Sequence, residues 1–335
     1  MLDATITPPP DDRLGVLTCT APVVRAARRA RIEPAALETL AAHWAEGGWP
    51  RHTALDALHF RDGGARTANW VLLLDALNFC FWGEPNGPRW RVDWRGETLD
   101  GYAALAAVLS RALEEGQPLW DAAYLARLDD RTLAQILRPA AACPMIPLFT
   151  ARLENAREVG RVLLERYDGQ FARAIERADG SAVELALLLA REFPSFNDVA
   201  AWRGEPVRFF KRAQICVADL REAFAGAGWG AFRDLDRLTA FADYKLPQLL
   251  RRHGALVYAA ELAEQVDACV PLLAGSAMEV EIRAATIWAV ELLRRALAER
   301  GVTQTASAID YRLWAESQAP DPQLRPYHRT RTPFY

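Results

Sequence analysis

E-I-R-A-A-T-I-W-A-V-E-L-L, residues 281–293, followed by S-A-I-D-Y-R-L-W, residues 307–314, decides how this chain is read. Apolar residues recur at helical spacing in the first stretch, which predicts an amphipathic helix. A short excursion follows, and Asp310 then stands at the mouth of the next element. A carboxylate presented there can stabilise a developing positive charge or orient an attacking water. The structural alternative makes Asp310 the N-cap of a last helix containing Leu313 and Trp314.

Working outward, helix signals dominate. Pro34 opens a helix with Leu37, Leu40, Ala41 and Trp44 on one face. From Asp100 onward the chain reads as nearly all helix. Asp100 is placed to cap a helix through Leu105, Leu109 and Leu113, and Leu153, Ala156, Gly160 and Leu163 mark another. Ser181 and Glu184 form a capping box, and further helices are predicted over 211–220, 236–244 and 247–253. Alternation in R-W-R-V-D-W-R-G-E-T (89–98) predicts a small β-hairpin within residues 79–98. No fixed-period repeat or long Gly/Ser linker divides the chain. The expectation is a mainly α, compact helical fold: one domain over 21–335, preceded by a disordered segment, 1–20, that is rich in Pro and Asp.

Composition excludes several classes. The 335 residues are 51% hydrophobic and 25% charged, which suits a soluble globular protein. No apolar run reaches the roughly 20 residues needed to span a bilayer, and no signal peptide is evident. Five scattered Cys without a C-x-x-C pair support neither zinc nor a disulfide framework. The net charge of −3 lacks the basic excess expected of a protein that grips duplex nucleic acid. Phosphate-cradling loops, the dinucleotide fingerprint, H-E-x-x-H and the G-x-S-x-G elbow are all absent from the sequence.

Carboxylates beside aromatic rings remain. In F-A-D-Y-K-L-P-Q (241–248), Asp243 is expected at the end of an amphipathic helix, with the chain turning near Leu246 ahead of Pro247. Flanked by Phe241 and Tyr244, it suits a planar heterocycle: a ring stacks while carboxylate oxygens accept N–H bonds. A solvated helix-end Asp is the bland alternative. Lys211 and Arg212, or the tail residues His328, Arg329 and Arg331, could hold a phosphate.

A series of stretches can be read in order: D-A-L-N-F-C-F-W (75–82), G-Y-A-A-L (101–105) with R-A-L-E-E-G (111–116), I-P-L-F-T-A-R (146–152), E-V-G-R-V-L-L-E (158–165), F-P-S-F-N-D (193–198) and F-F-K-R-A-Q-I (209–215). T-A-F-A-D-Y-K-L-P-Q (239–248), E-V-E-I-R-A-A-T-I-W-A-V-E-L (279–292), I-D-Y-R-L-W (309–314) and H-R-T-R-T-P-F-Y (328–335) complete the series. Together they resemble the queuosine salvage proteins, which are queuosine 5′-phosphate N-glycosylases. The resemblance covers nearly the whole chain beyond its first twenty or so residues. It implies a fold similar to helix-hairpin-helix DNA glycosylases, which present their catalytic carboxylate after a helix in this manner. It also implies hydrolysis of queuosine 5′-monophosphate to queuine and ribose 5-phosphate, in the cytoplasm, without metal or cofactor and without a stable nucleic-acid partner.

By motif position, the resemblance implies that Asp310 and Tyr311 belong to the active-site segment, and Phe241 and Asp243 to the base-binding segment. His52 and Lys211 are carried over as further substrate contacts. Where the family usually reads L-W-D, this chain has Leu313, Trp314 and Ala315, so a contact to the cyclopentenediol of queuine is in question. Two other readings stay open at this point: a glycosylase acting on a base in nucleic acid, and a non-enzymatic protein that binds a modified base.

Overall fold

A computed structural model describes residues 6–49, 56–85, 87–319 and 321–335. Its first half contains α1 (Val16–Ala26), β1 (Ala30–Ile32), α2 (Pro34–Glu46), α3 (Ala65–Ala76), β2 (Arg91–Trp94), β3 (Glu97–Asp100) and α4 (Gly101–Glu114). Then come α5 (Ala122–Ala126), α6 (Asp130–Ile136), α7 (Phe149–Tyr167), α8 (Phe171–Arg177) and α9 (Ala182–Glu192). The rest comprises β4 (Val199–Trp202), β5 (Glu205–Arg208), α10 (Lys211–Ala223), α11 (Lys245–Arg252), β6 (Leu256–Tyr258), α12 (Ala260–Asp267), α13 (Ala277–Glu299) and α14 (Ala306–Glu316). The fold is mainly α, as the sequence predicts. None of these helices is long and apolar enough to cross a membrane.

Two compact units divide the chain, and their segments alternate along it. The first comprises residues 1–51, 198–214 and 234–331; the second, 52–197, 215–233 and 332–335. The sequence carries no flexible Gly/Ser linker at the points where the chain passes from one unit to the other.

The first unit is built on α13. Its residues 279–291 are buried on every side, so the helix is not amphipathic as expected. Ser276 caps it by accepting the Glu279 amide, which places its start ahead of Glu281. Helices α1, α2, α11 and α14 pack against it. Its polar residues face partners rather than water. Trp288 Nε1 donates to Thr20 Oγ1 (3.0 Å), and Glu281 accepts the amides of Arg28, Arg29 and Ala30, fixing β1 where it pairs antiparallel with β6. The expected disorder does not extend over residues 6–20. Ile6 and Leu14 are buried, and α1 buries Val16, Leu17 and Thr20. Residues 6–15 are loop, and Asp12 there accepts the amides of Gly15 and Thr18.

In the second unit α3 is buried from Thr67 to Ala76 and packs on α7 and α8. Asn69 donates to the carbonyls of Trp120 and Gly169 and accepts the Phe171 amide, satisfying three main-chain groups. The expected hairpin is present as β2–β3, confined to residues 91–100. Arg95 and Gly96 at its turn both have positive φ (48° and 87°), the type I′ geometry that matches strand twist. A matching hairpin, β4–β5 of the first unit, escaped the sequence reading although W-R-G-E recurs at 202–205, again with both turn residues at positive φ (53° and 88°).

Close packing in the second unit yields a test. A Cβ added at Gly160 of α7 would meet the Ala126 amide nitrogen at 2.3 Å and the Ala122 carbonyl oxygen at 2.5 Å, both backbone atoms of α5. Gly160→Ala is therefore expected to destabilise the protein by about 1–3 kcal/mol or more, because neither helix can yield cheaply. Denaturant unfolding measures this, and an unchanged midpoint would contradict the packing.

Candidate active site

Asp310 lies inside α14, not at its mouth. Thr305 caps that helix by accepting the Ala308 amide (3.1 Å), so Asp310 falls in the second turn, beside the buried Ile309 and Leu313. The Asp310 side chain is turned inward and only 6% exposed. Its Oδ2 accepts the Phe241 amide at 2.6 Å.

Phe241 belongs to a stretch that the sequence predicts as helix and that is instead irregular, after a short turn at Leu235–Arg237. The apolar spacing of L-T-A-F-A suits a helix, but its main-chain groups are claimed by buried side chains. Gln214 Oε1 accepts the Thr239 amide (2.7 Å), Asp310 accepts that of Phe241, and Arg283 Nε donates to the Ala242 carbonyl (3.1 Å). Asp243 likewise begins a helix rather than ending one. Its Oδ1 accepts the amides of Lys245 (2.7 Å) and Leu246 (3.0 Å), capping α11. Pro247 is the third residue of that helix, where no amide donor is needed, so the chain does not turn out of helix at Leu246.

Burial pushes the Asp310 carboxyl well above the usual aspartate range, and the Asp243 carboxylate pushes it further the same way. The Phe241 amide and the Lys211 ammonium act in the opposite direction, but burial dominates. Lys211, 5% exposed, opens α10, and Asp198 Oδ2 accepts its main-chain amide (3.2 Å). The same carboxylate meets both terminal nitrogens of Arg283, at 2.9 and 2.5 Å.

Four of the sequence-selected residues therefore converge: Asp310, Phe241, Asp243 and Lys211. Tyr311 is half-buried next to Asp310, its ring 5.9 Å from that of Trp314. Arg329 approaches the Tyr327 ring (5.7 Å), and that ring lies 4.8 Å from Tyr244, the neighbour of Asp243. Arg331 is exposed. His52 lies outside the described residues. His328 cannot serve as a phosphate-binding cation, since burial and then the nearby Arg283 lower its pKa to about 3. Arg212 is buried. Ala315 is half-buried one turn beyond Tyr311.

Sequence reasoning missed Arg283, Asp198 and Gln214, which hold the site, and Lys245, whose ammonium lies 5.4 Å from the Tyr327 ring. One signal was present: Arg283 is one of two charged residues, with Glu281, within the largely apolar V-E-I-R-A-A-T-I-W-A-V run. No group of three or more His, Cys, Asp or Glu among the described residues is arranged to hold a metal ion.

Fold and site together define a mainly helical protein with a buried, carboxylate-based centre. The queuosine salvage protein family matches residues 58–335, and the chain belongs to that family. It is 51% identical over 326 residues to a queuosine 5′-phosphate N-glycosylase/hydrolase of Sphaerobacter thermophilus, covering 97% of this chain and 99% of that protein. Proteins with the same name from Bos taurus and Schizosaccharomyces pombe are 38% and 32% identical. Those matches cover 86% of this chain and 86% of the bovine protein, and 83% of this chain and 81% of the yeast one.

The buried carboxyl has a stability signature. Its pKa is raised on folding, so its contribution is most favourable below the unfolded value of about 3.9 and is lost as pH rises through the folded value. Asp310→Asn keeps an acceptor for the Phe241 amide and removes the charge. Thermal melts should therefore show the variant more stable than wild type near neutral pH, with the gap closing towards about pH 4. A variant less stable at neutral pH would contradict this electrostatic account.

Proposed function

We propose that this chain hydrolyses the N-glycosidic bond of queuosine 5′-monophosphate, releasing queuine and ribose 5-phosphate for the salvage of queuine into tRNA modification. The full-length relation to proteins named for that reaction supports the substrate. The observation that carries the chemistry is Asp310, buried and hydrogen-bonded with Asp243 and Lys211 as its charged neighbours.

Queuine is a 7-deazaguanine, so carbon stands where a purine has N7, and departure cannot be assisted by protonating that position. The burden shifts to the sugar. As the C1′–N9 bond breaks, its electron pair stays on the base and positive charge develops at C1′. A carboxylate held out of water is poorly solvated beforehand and is stabilised by that charge, so the interaction is strongest in the transition state. Water then adds to C1′; its proton passes to Asp310 and from there to solvent, while N9 of the departing base takes up a proton from solvent, so the carboxylate is restored and the base leaves neutral. A carboxyl with raised proton affinity suits the transfer. Asp243, pinned through Oδ1, offers its other oxygen to the N–H edge of the base, while Phe241 positions the ring system. The Asp243 and Asp310 roles exchanged form the second reading.

Lys211 is buried and balances the carboxylates, so we assign the 5′-phosphate to Arg329 and Lys245, the two cations beside Tyr327, with Arg331 in reserve. Tyr311 completes the substrate contacts in this reading. The reading also places the protein in the cytoplasm, without cofactor, and groups its fold with helix-hairpin-helix DNA glycosylases.

Mass spectrometry of purified protein incubated with queuosine 5′-monophosphate tests the reaction. Free queuine is expected from wild type, with the rate reduced about 100-fold or more in Asp310→Asn. No queuine from folded wild type would refute the reading, and full turnover by Asp310→Asn beside an inactive Asp243→Asn that still binds base would reverse the two roles. For the phosphate, Arg329→Ala and Lys245→Ala should each raise KM for the monophosphate by about tenfold and leave hydrolysis of the nucleoside less affected. Equal losses on both substrates would contradict that assignment.

A further inference from the structure

We propose that Arg283 and Asp198 are positioning residues for this reaction, a buried pair that fixes the helix start carrying Lys211 relative to the stretch carrying Phe241 and Asp243. The inference rests on the proposed hydrolysis and adds two residues that touch none of its reacting atoms.

Arg283 projects from α13 with its side chain 3% exposed, and Asp198 is equally buried. Each edge of the guanidinium has a separate task. The two terminal nitrogens take both oxygens of Asp198, at 2.9 and 2.5 Å, while Nε donates to the Ala242 carbonyl at 3.1 Å. Ala242 lies between Phe241 and Asp243, so this bond sets the main chain that delivers both. On the other side, Asp198 Oδ2 accepts the Lys211 amide, and the Asp198 carbonyl accepts the amides of Phe209 and Phe210. Phe210 has a positive φ of 50°, a turn conformation unusual for a bulky residue and supported here by those bonds. The Phe209 ring packs against the guanidinium, 3.9 Å from its carbon.

A second strut joins the same two segments. Gln214 donates to the Phe209 carbonyl and accepts the Thr239 amide. The Gln214 strut alone leaves Ala242 unheld, which makes Arg283 the residue that sets Asp243. Its planar fork is essential to this. A lysine keeps the charge but cannot meet two carboxylate oxygens and a carbonyl in fixed directions. Lys211 and Asp243 are the charged neighbours that face Asp310, so a shift of either alters the ionisation of that carboxyl as well as the approach of the substrate.

The experiment compares wild type, Arg283→Lys, Asp198→Asn and Leu297→Ala with queuosine 5′-monophosphate, at temperatures where circular dichroism shows each folded. Leu297 is fully buried on the same helix and outside the network, so its truncation reports loss of stability alone. Arg283→Lys and Asp198→Asn should lower kcat about tenfold to 100-fold while KM changes by about threefold or less, as expected when geometry fails in the transition state. Both should also displace the acid limb of the kcat/KM pH profile. Leu297→Ala should lower Tm with kcat and pH profile unchanged. The proposal is overturned if Arg283→Lys keeps the wild-type kcat and profile, or if neither pair variant folds, which would make the pair a folding element. Inactive wild type would instead strike the hydrolysis reading and this inference with it, whereas active wild type beside an unaffected Arg283→Lys strikes this inference alone.

Discussion

A carboxyl group held out of water is the constraint on which the site depends. Removing an ionised Asp from solvent is costly unless donors and counter-charge replace the lost hydration. Asp310 receives one main-chain donor, from Phe241, and one ammonium within electrostatic reach, from Lys211, with a second carboxylate, Asp243, working against it. The net effect leaves it reluctant to ionise. Such a group lowers stability and is useful only where positive charge will arise, which is the pattern expected of a catalytic carboxylate rather than a structural one.

The surroundings follow from keeping that group in place. Asp310 is set by a helix capped at Thr305; Phe241 and Asp243 lie on chain that forgoes its own helix. Its main-chain groups are taken by Gln214, Asp310 and Arg283, three buried side chains from three helices. Of the polar residues that make α13 look amphipathic in sequence, Arg283 serves this purpose and Glu281 pins β1. Polar residues buried with complete partners rigidify a centre, and those left incomplete would be the first to fail.

This explains what was legible in the sequence. Helices with clear apolar periodicity, such as α2, α4 and α7, and the Ser181-capped α9 were readable because local chemistry determines them, although Asp100 at the start of α4 makes no capping bond. Asp310, Asp243, Phe241 and Lys211 were also legible, as residue types in motifs that resemble a family. The conformation of 238–243 was not, since it is set by side chains distant in sequence: Gln214, Arg283 and Asp310. Burial of His328 was hidden for the same reason, because a tail rich in Arg reads as solvated until its packing is known. The β4–β5 hairpin is legible in the repeated W-R-G-E of its turn, although V-A-A-W (199–202) lacks the polar–apolar alternation that marks a strand.

In the proposed hydrolysis, burial and the neighbouring Asp243 together set the proton affinity of Asp310, and its ionised form is the active one. The kcat/KM pH profile of wild type against Asp243→Asn tests this most directly, since ionisations of the substrate are common to both. In wild type, activity should fall on acidification with an apparent pKa well above the ordinary aspartate value of about 3.9. Removing the like charge at position 243 should move that acid limb to lower pH, whatever it does to the maximal rate. An acid limb that stays in place, or moves to higher pH, would contradict the account.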